Sequence, residues 1–368
     1  MEKVNLFCYN TDHMKILGIE SSCDDTSVAL IEASDNHFVI LAEKTASQID
    51  IHKIYGGVVP EIAGRKHAEA IVPLIEEVTR GEKPDVIAAT AGPGLVTGLL
   101  VGVEAAKNLS YLWSVPLVRV NHIEGHIYSV LLGTQTQNAA LAFPALCLIV
   151  SGGHTELVLM KNHGVYELIG KTRDDAAGEC FDKVAKLLDL DYPGGPKISK
   201  FALEGNTTAI PFPRPMIDSD NFDFSFAGLK TSALYWLRDN TLTAVKVNPF
   251  HAIASWFGQS SEPVTIQDFC ASFEQAIVDV LVTKTIRAAQ KYNPKTIILS
   301  GGVSANKKLR ESLAENVQRL GVEFRSPELK YSMDNGAMIA LAGYYHALKE
   351  DFTLWKDIQV DPNWKIYN

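Results

Sequence analysis

Lys15-Ile16-Leu17-Gly18-Ile19-Glu20 is followed by Ser21-Ser22-Cys23-Asp24-Asp25-Thr26 and then by Ser27-Val28-Ala29-Leu30-Ile31-Glu32. Two apolar runs around a polar turn read as a β-hairpin. Phe38–Ala42 reads as a third strand. Beyond the glycine turn Ile54–Gly57, the apolar spacing of Pro60–Val78 is helical. Pro84-Asp85 opens a strand at Val86–Thr90, Ala91-Gly92-Pro93-Gly94 ends it, and a helix runs on to about Ser114. Leu117–Val120 is another strand, and Asn121 stands where a helix N-cap belongs. The same order returns later. Ala145–Val150 and Glu156–Met160 flank Ser151-Gly152-Gly153-His154-Thr155, with a third strand at Val165–Gly170. Pro294 opens the strand Thr296–Leu299, Ser300-Gly301-Gly302 breaks it, and Ala305–Leu320 reads as a helix. A hairpin followed by strand, glycine turn and helix, occurring twice, is a weak internal duplication and predicts α/β lobes.

Length agrees with two lobes: 368 residues, at roughly 100–200 per domain. Hydrophobic residues make up 46% and charged residues 21%, which excludes wholesale disorder and any collagen-like or coiled-coil rod. No apolar run approaches the roughly 18 residues of a spanning helix, so no membrane partner is expected. Met1–Met14 contains Glu2, Asp12 and His13 and has no apolar h-region. The cysteines (Cys8, Cys23, Cys147, Cys180, Cys270) are odd in number and scattered, which predicts reduced thiols and a cytoplasmic setting. Cys23 and Cys180 lie near candidate loops, either as reactive thiols or as small buried fillers. A net charge of −9 excludes broad nucleic-acid binding by charge alone, though not a local basic patch. Two stretches stand outside the duplicated pattern: Asp191–Asp223, rich in Pro and Gly, and the mixed-polarity Asn240–Pro263.

Among residues able to carry chemistry, His122-Ile123-Glu124-Gly125-His126 is the sharpest feature. Imidazoles at i and i+4 lie one above the other on a helix face, the spacing of two ligands to one metal. The same spacing also arises from surface or capping histidines. Asp334, in Ser332-Met333-Asp334-Asn335-Gly336-Ala337, reads in isolation as an N-cap. The turn Ser151–Thr155 offers backbone N–H groups and hydroxyls to an anion, or is only a turn. Ser300–Asn306, between strand and helix, is a nucleotide site or a tight connection. The acids of Asp174–Lys183 either cap helices or hold ribose hydroxyls. Arg65, Lys66, Lys307, Lys308 and Arg310 form short basic groups that meet phosphate or face solvent; Lys197 and Lys200 flank the Pro-Gly loop.

Taken in order, these phrases resemble the universal family of tRNA threonylcarbamoyladenosine transferases, in its bacterial form. The resemblance is carried by Gly18–Thr26, Tyr55–Glu61, Ala91–Leu95, Asn121–His126, Val150–Thr155, Asp174–Lys183, Tyr192–Pro196, Phe224–Lys230, Ser300–Asn306 and Ser332–Ile339, spanning about Ile16 to Leu348. It implies the two-lobed actin-like, Hsp70-like and sugar-kinase-like ATPase fold with a nucleotide cleft between lobes at 15–136 and 137–348. An excursion at about 191–264 and a tail at 349–368 complete the expected organisation. It further implies transfer of a threonylcarbamoyl group from threonylcarbamoyl-AMP to N6 of the adenosine just 3′ of the tRNA anticodon, releasing AMP. By the resemblance, His122, His126 and Asp334 bind one divalent metal, Fe(2+) ahead of Zn(2+). Ile149, Val150, Ser151, Gly152 and Gly153 surround the phosphate and acyl part of the adenylate. Asp182 holds ribose hydroxyls, Gly195 lies against the nucleoside, and Asn306 reaches the adenine. Asp24 and Asp25 orient the amine or the acyl group. The implied partners are tRNA, a TsaB-like paralogue and a TsaE-like small ATPase.

The chain also departs from the family. Met1–Met14 precedes the usual start, Asn240–Pro263 is longer than typical, and Ile149 stands where archaeal relatives carry tyrosine. Rival readings weaken on inspection. A metalloprotease lacks its His-Glu-x-x-His. A kinase of this fold usually has Asp where this chain has Glu20. A non-enzymatic scaffold would not need to retain three metal-type ligands.

Overall fold

The computed structural model describes residues 13–35, 37–133, 140–240, 242 and 264–367. The expected start of the chain, the 136/137 lobe boundary and nearly all of the 240–263 excursion lie outside the described residues. The hairpin that opens the sequence is β1 (Met14–Glu20) and β2 (Asp25–Ser34), with β3 (His37–Ser47) beside it. α1 (Ile49–Lys53), α2 (Pro60–Thr79), β4 (Val86–Gly92), α3 (Val96–Trp113), β5 (Leu117–Asn121) and α4 (His122–Tyr128) follow. The second series is β6 (Ala145–Val150), β7 (Thr155–Asn162), β8 (Val165–Lys171), α5 (Ala177–Leu187), α6 (Gly194–Ala202), α7 (Ala227–Asp239), α8 (Ile266–Tyr292), β9 (Thr296–Ser300), α9 (Lys307–Leu320), β10 (Glu323–Arg325) and α10 (Gly336–Ala347).

The duplication is real at the level of topology. The first sheet has the order β3-β2-β1-β4-β5 and the second β10-β9-β6-β7-β8, which read from opposite ends are the same arrangement. β1 pairs antiparallel with β2 and parallel with β4, while β6 pairs antiparallel with β7 and parallel with β9. Central strands covered on both faces read as unbroken apolar runs, whereas the edge strand β3 alternates.

One element leaves the order of the chain. α10 follows the second sheet in sequence but packs on the first. It approaches so closely that a Cβ on Gly18 would stand 2.1 Å from the Gly336 carbonyl, and one on Gly336 would stand 2.5 Å from the Ala29 nitrogen. Only glycine permits that approach. Ser27 Oγ accepts from Gly336 N at 2.9 Å and fixes the start of α10 over the first hairpin. A shared core (Ile16, Ile31, Ile127, Met338, Ile339) continues into Ile149, Val158 and Met160 of the second sheet, so α4 and α10 lie between the two sheets.

The Pro-Gly stretch 191–223 is integrated into the second lobe. It contains α6, buries Phe212 and Phe222, and is tied to α8 by Arg214 on Asp279 and by the buried Lys284, which donates to Ser219 Oγ and Asn221 O. The helix expected from Ala305 begins later. A 3-10 turn covers Gly302–Ala305, and Asn306 then caps α9 by accepting from Leu309 N at 2.8 Å.

Candidate metal and nucleotide site

α4 begins where Asn121 ends β5, and the Asn121 side chain accepts from Ile123 N at 2.9 Å, as an N-cap should. This places His122 and His126 on one face, with ring centroids 4.6 Å apart. Asp334 is not the cap of α10. Asn335 takes that role, accepting from Met338 N at 2.8 Å, and so leaves the preceding carboxylate free to face α4. Asp334 Oδ1 stands 3.2 Å from His126 Nε2 and 3.6 Å from His122 Nε2, and one ligand atom from each of the three residues falls within 4.8 Å of the others. An ion about 2.0–2.2 Å from each would need ligand atoms at this spacing, so two imidazoles and a carboxylate fit a divalent metal.

Behind His122 stands Glu20, fully buried at the end of β1. Its Oε2 lies 3.1 Å from His122 Nδ1 and accepts from Thr90 Oγ1 at 2.6 Å, and its Oε1 accepts from Ser22 N at 2.6 Å. A carboxylate on Nδ1 holds the proton there and turns Nε2 outward as a ligand. Burial opposes charge at all of these groups, but the mutual attraction wins. Burial lowers the His122 pKa, yet Glu20 and Asp334 hold it up at about 9. Burial raises that of Asp334, yet His122 and His126 hold it at about 2.

The first hairpin turn adds two carboxyls. Asp25 is pushed up to about 7 by burial, with the negative charge of Asp334, Asp24 and Glu20 adding to it against a Ser47 hydrogen bond. Its Oδ1 is buried and has no hydrogen-bond partner. Asp24 is raised too, by burial and then by Asp334. Cys23 and Cys180 have thiols pushed up by burial, which suits fillers and not nucleophiles.

The second hairpin turn sits differently from the simple cradle expected. Ser151 Oγ accepts from Gly153 N at 3.3 Å and His154 N at 3.0 Å, and Thr155 Oγ1 accepts from Ala177 N at 2.9 Å. Ser151 therefore shapes the turn, and Thr155 ties it to the start of α5. Gly152 and Gly153 are exposed, and a Cβ on either would meet nothing within 4 Å.

These features have close counterparts. Residues 39–341 match the family model described as tRNA N6-adenosine threonylcarbamoyltransferase. The chain belongs to this family. A relative of that name from Desulfitobacterium hafniense (strain Y51) is 46% identical over 351 residues, covering 94% of this chain and 96% of the relative. Another, from Bacillus subtilis (strain 168), is 48% identical over 336 residues and covers 90% of each. Membership makes the chain a transferase that modifies tRNA. Among solved structures, T. kodakarensis HypF superposes with a TM-score of 0.56 at 14% identity, covering 91% of this chain and 48% of that one. The likeness concerns the fold, which is the two-lobed actin-like ATPase fold.

The other sequence-predicted residues fall in several places. Asp182, on α5, has Oδ1 accepting from Gly194 N at 2.7 Å and Gly195 N at 3.4 Å, so it caps α6 and brings Gly195 beside itself. Ile149 and Val150 are fully buried on opposite faces of β6, so only their backbone is available to a ligand. The Asn306 amide is engaged. Besides capping α9, its Nδ2 donates to Ser199 Oγ at 2.9 Å and Glu274 Oε1 at 2.6 Å. Arg310 is turned inward onto Ser304 O, Ser326 Oγ and Pro327 O, so its donors are spent within the lobe. Arg65 pairs with Glu61, Lys66 with Glu69 and Lys307 with Glu311, all exposed i,i+3 or i,i+4 pairs on helix faces. Glu20, the partner of His122, does not stand out in the sequence as part of this site. Its sequence signal was a glutamate closing an apolar strand, in a position that buries everything around it.

Proposed function

We propose that this chain transfers the threonylcarbamoyl group from threonylcarbamoyl-AMP to N6 of the adenosine 3′ to the tRNA anticodon and releases AMP. The observation that carries the reading is the triad of His122, His126 and Asp334, backed by Glu20 and set beside an open glycine turn. The donor is a mixed carbamic–phosphoric anhydride. The N6 nitrogen bonds to its carbonyl carbon, the carbon–oxygen bond to phosphate breaks, and N6 gives up a proton. A metal held by the triad, Fe(2+) ahead of Zn(2+), would supply Lewis-acid polarisation of the acyl oxygen; two imidazoles with one carboxylate is the ligand set of many ferrous sites.

The chain's own groups do the rest. The backbone of Ile149 to Gly153 receives the phosphate and acyl part, because exposed glycines let a ligand approach the main chain. Asp182, beside Gly195, receives the ribose, and Asn306 stands at the base end, its amide held by Glu274 and Ser199. Asp25 is the acceptor for the N6 proton. Its carboxyl is buried, unpartnered at one oxygen and poised near neutral pH. Asp24 orients the amine. Lys307 and Lys308 on α9, and Arg65 and Lys66 on α2, offer charge to the RNA backbone. Lobes at 15–136 and 137–348 enclose the cleft, with the tail 349–368 laid across them. A TsaB-like paralogue and a TsaE-like small ATPase are the proposed partners and the cytoplasm the proposed setting; no helix among the described residues is long and apolar enough to cross a membrane. The test is incubation of purified protein with threonylcarbamoyl-AMP and unmodified tRNA, followed by nucleoside analysis. Threonylcarbamoyladenosine with stoichiometric AMP supports the reading, and its absence with partners supplied refutes it.

A further inference from the structure

The tail beyond α10 lies past the end of the family match at residue 341 and joins the two lobes. On the first lobe, Asp361 N donates to Ala91 O at 2.8 Å and Gly94 N to Pro362 O at 3.2 Å. Asn121 Nδ2, next to the first metal-type ligand, donates to Trp364 O at 3.1 Å, and the Arg119 guanidinium lies 4.1 Å from the Trp364 ring centre. On the second lobe, Tyr367 Oη donates to Glu156 Oε1 at 3.2 Å. Beneath this bridge is a cavity of about 200 Å³ whose lining includes Ile123, His154, Lys171, Trp364, Lys365 and Tyr367.

Its position is what gives it meaning. Ile123 follows His122 directly, and His154 feels the charges of His122, His126 and Asp334. The glycine turn thus has two ends. Its Gly152 end adjoins the start of α5, on the side of Asp182 and Gly195, since a Cβ on Gly178 would stand 2.9 Å from the Gly152 Cα. Its His154 end opens into the tail cavity. A transfer between two substrates needs a second approach to the same centre, and the acceptor base must leave its stack to make it. Unstacked RNA bases are received by aromatic walls with cations nearby for the backbone. Trp364 and Tyr367 supply the aromatics. Lys171 and Lys365 are exposed and form no ion pair among the described residues, whereas Arg65, Lys66 and Lys307 each lie against an acid. Glu156, in the same lining, feels the charge of both lysines, so two ammonium groups stand against one carboxylate; in a chain of net charge −9, that local positive excess marks where a polyanion can come close.

We propose that the cavity beneath the tail receives the acceptor adenine of tRNA, with Lys171 and Lys365 meeting the flanking phosphates. This rests on the reading under Proposed function and adds the place of the second substrate. The test uses the full metal-loaded chain with donor and unmodified tRNA. Lys171→Glu and Lys365→Glu each raise KM for tRNA by about tenfold and make the log–log salt dependence shallower by about one, while KM for the donor and the metal content stay as in the wild type. Both side chains are exposed, so an unchanged thermal midpoint establishes that the variants fold. In a second arm, an anticodon stem-loop carrying a photoreactive azidoadenosine at the modified position crosslinks to residues 364–367 or to His154. Unchanged KM and salt slope in both variants, or a crosslink confined to other segments, overturns the proposal. A wild-type chain that takes the crosslink here yet forms no modified nucleoside faults the parent reading and leaves this site standing.

Discussion

Replacing Glu20 by Gln changes one buried charge and almost no volume, and it probes the metal centre without touching a ligand. In the wild type Oε1 accepts from Ser22 N, while Oε2 faces both Thr90 Oγ1 and His122 Nδ1. A glutamine that keeps its oxygen on Ser22 N turns its amide N–H₂ toward His122 Nδ1, where the Ser22 hydroxyl, 3.0 Å from the same nitrogen, can donate as well. That nitrogen then becomes the acceptor, and the imidazole proton moves to Nε2, the atom facing Asp334 at 3.6 Å. A protonated Nε2 is not a ligand. Loss of a carboxylate behind a metal-bound imidazole weakens metal affinity by about 10–100-fold, or about 1.4–2.7 kcal/mol. The Thr90 hydroxyl can rotate to accept from the new amide, so no buried group is orphaned and the fold survives. Competitive chelator titration of the folded variant gives the Kd, with a circular dichroism melt as control. An unchanged Kd in a variant with a native melt would refute the claim that Glu20 sets the His122 tautomer.

Gly152→Val leaves the apo thermal midpoint unchanged, because its side chain meets open space, but weakens an adenylate analogue by at least about tenfold, or 1.4 kcal/mol, in calorimetry; equal affinity would move the ligand elsewhere. Burial lowers the His346 pKa, but the hydrogen bond and charge of Glu124, with Asp351, hold it up at about 9. With an unfolded value near 6.5, that stabilisation is fully present below pH 6.5 and is lost as pH rises through about 9, a fall on the order of 3 kcal/mol. His346→Gln flattens this part of the stability profile in denaturant melts, and a parallel slope in both proteins contradicts the assignment. Reversing Lys307 and Lys308 to Glu lowers tRNA affinity, with a salt slope shallower by at most about two; identical slopes make that helix face a solvated one.

What could be read in the sequence was whatever local pattern dictates. The hairpin Lys15–Glu32, its echo at Ala145–Met160 and the Asn121 cap all depend on neighbours within a few positions, and all stand in the structure. His122 and His126 were legible because helical geometry alone stacks them. Asp334 illustrates the boundary. Local rules favour a cap at either Asp334 or Asn335, and what decides is the seating of α10 on the first hairpin, made by Ser27 some 309 positions away. Glu20 was silent for the same reason, since its partner lies 102 positions on. Arg310 read as a free cation because three basic residues fall together, but its acceptors come from the turn before α9 and the loop after β10. The tail at 349–368 was legible as a separate piece, but its bridging contacts were not, because a stretch with no regular secondary structure has no period to read and its partners lie on the two lobes it joins.

If His122, His126 and Asp334 hold one ion on which transfer depends, activity must track metal content. The most direct measurement is threonylcarbamoyl transfer to tRNA recorded as Fe(2+) is titrated back, under reducing conditions, into chelator-stripped protein with its partners present. The expected result is no transfer without metal, a linear rise to about one equivalent per chain, and a plateau beyond it, with Asp334→Ala silent throughout. Full transfer by the stripped protein, or by Asp334→Ala, would contradict it.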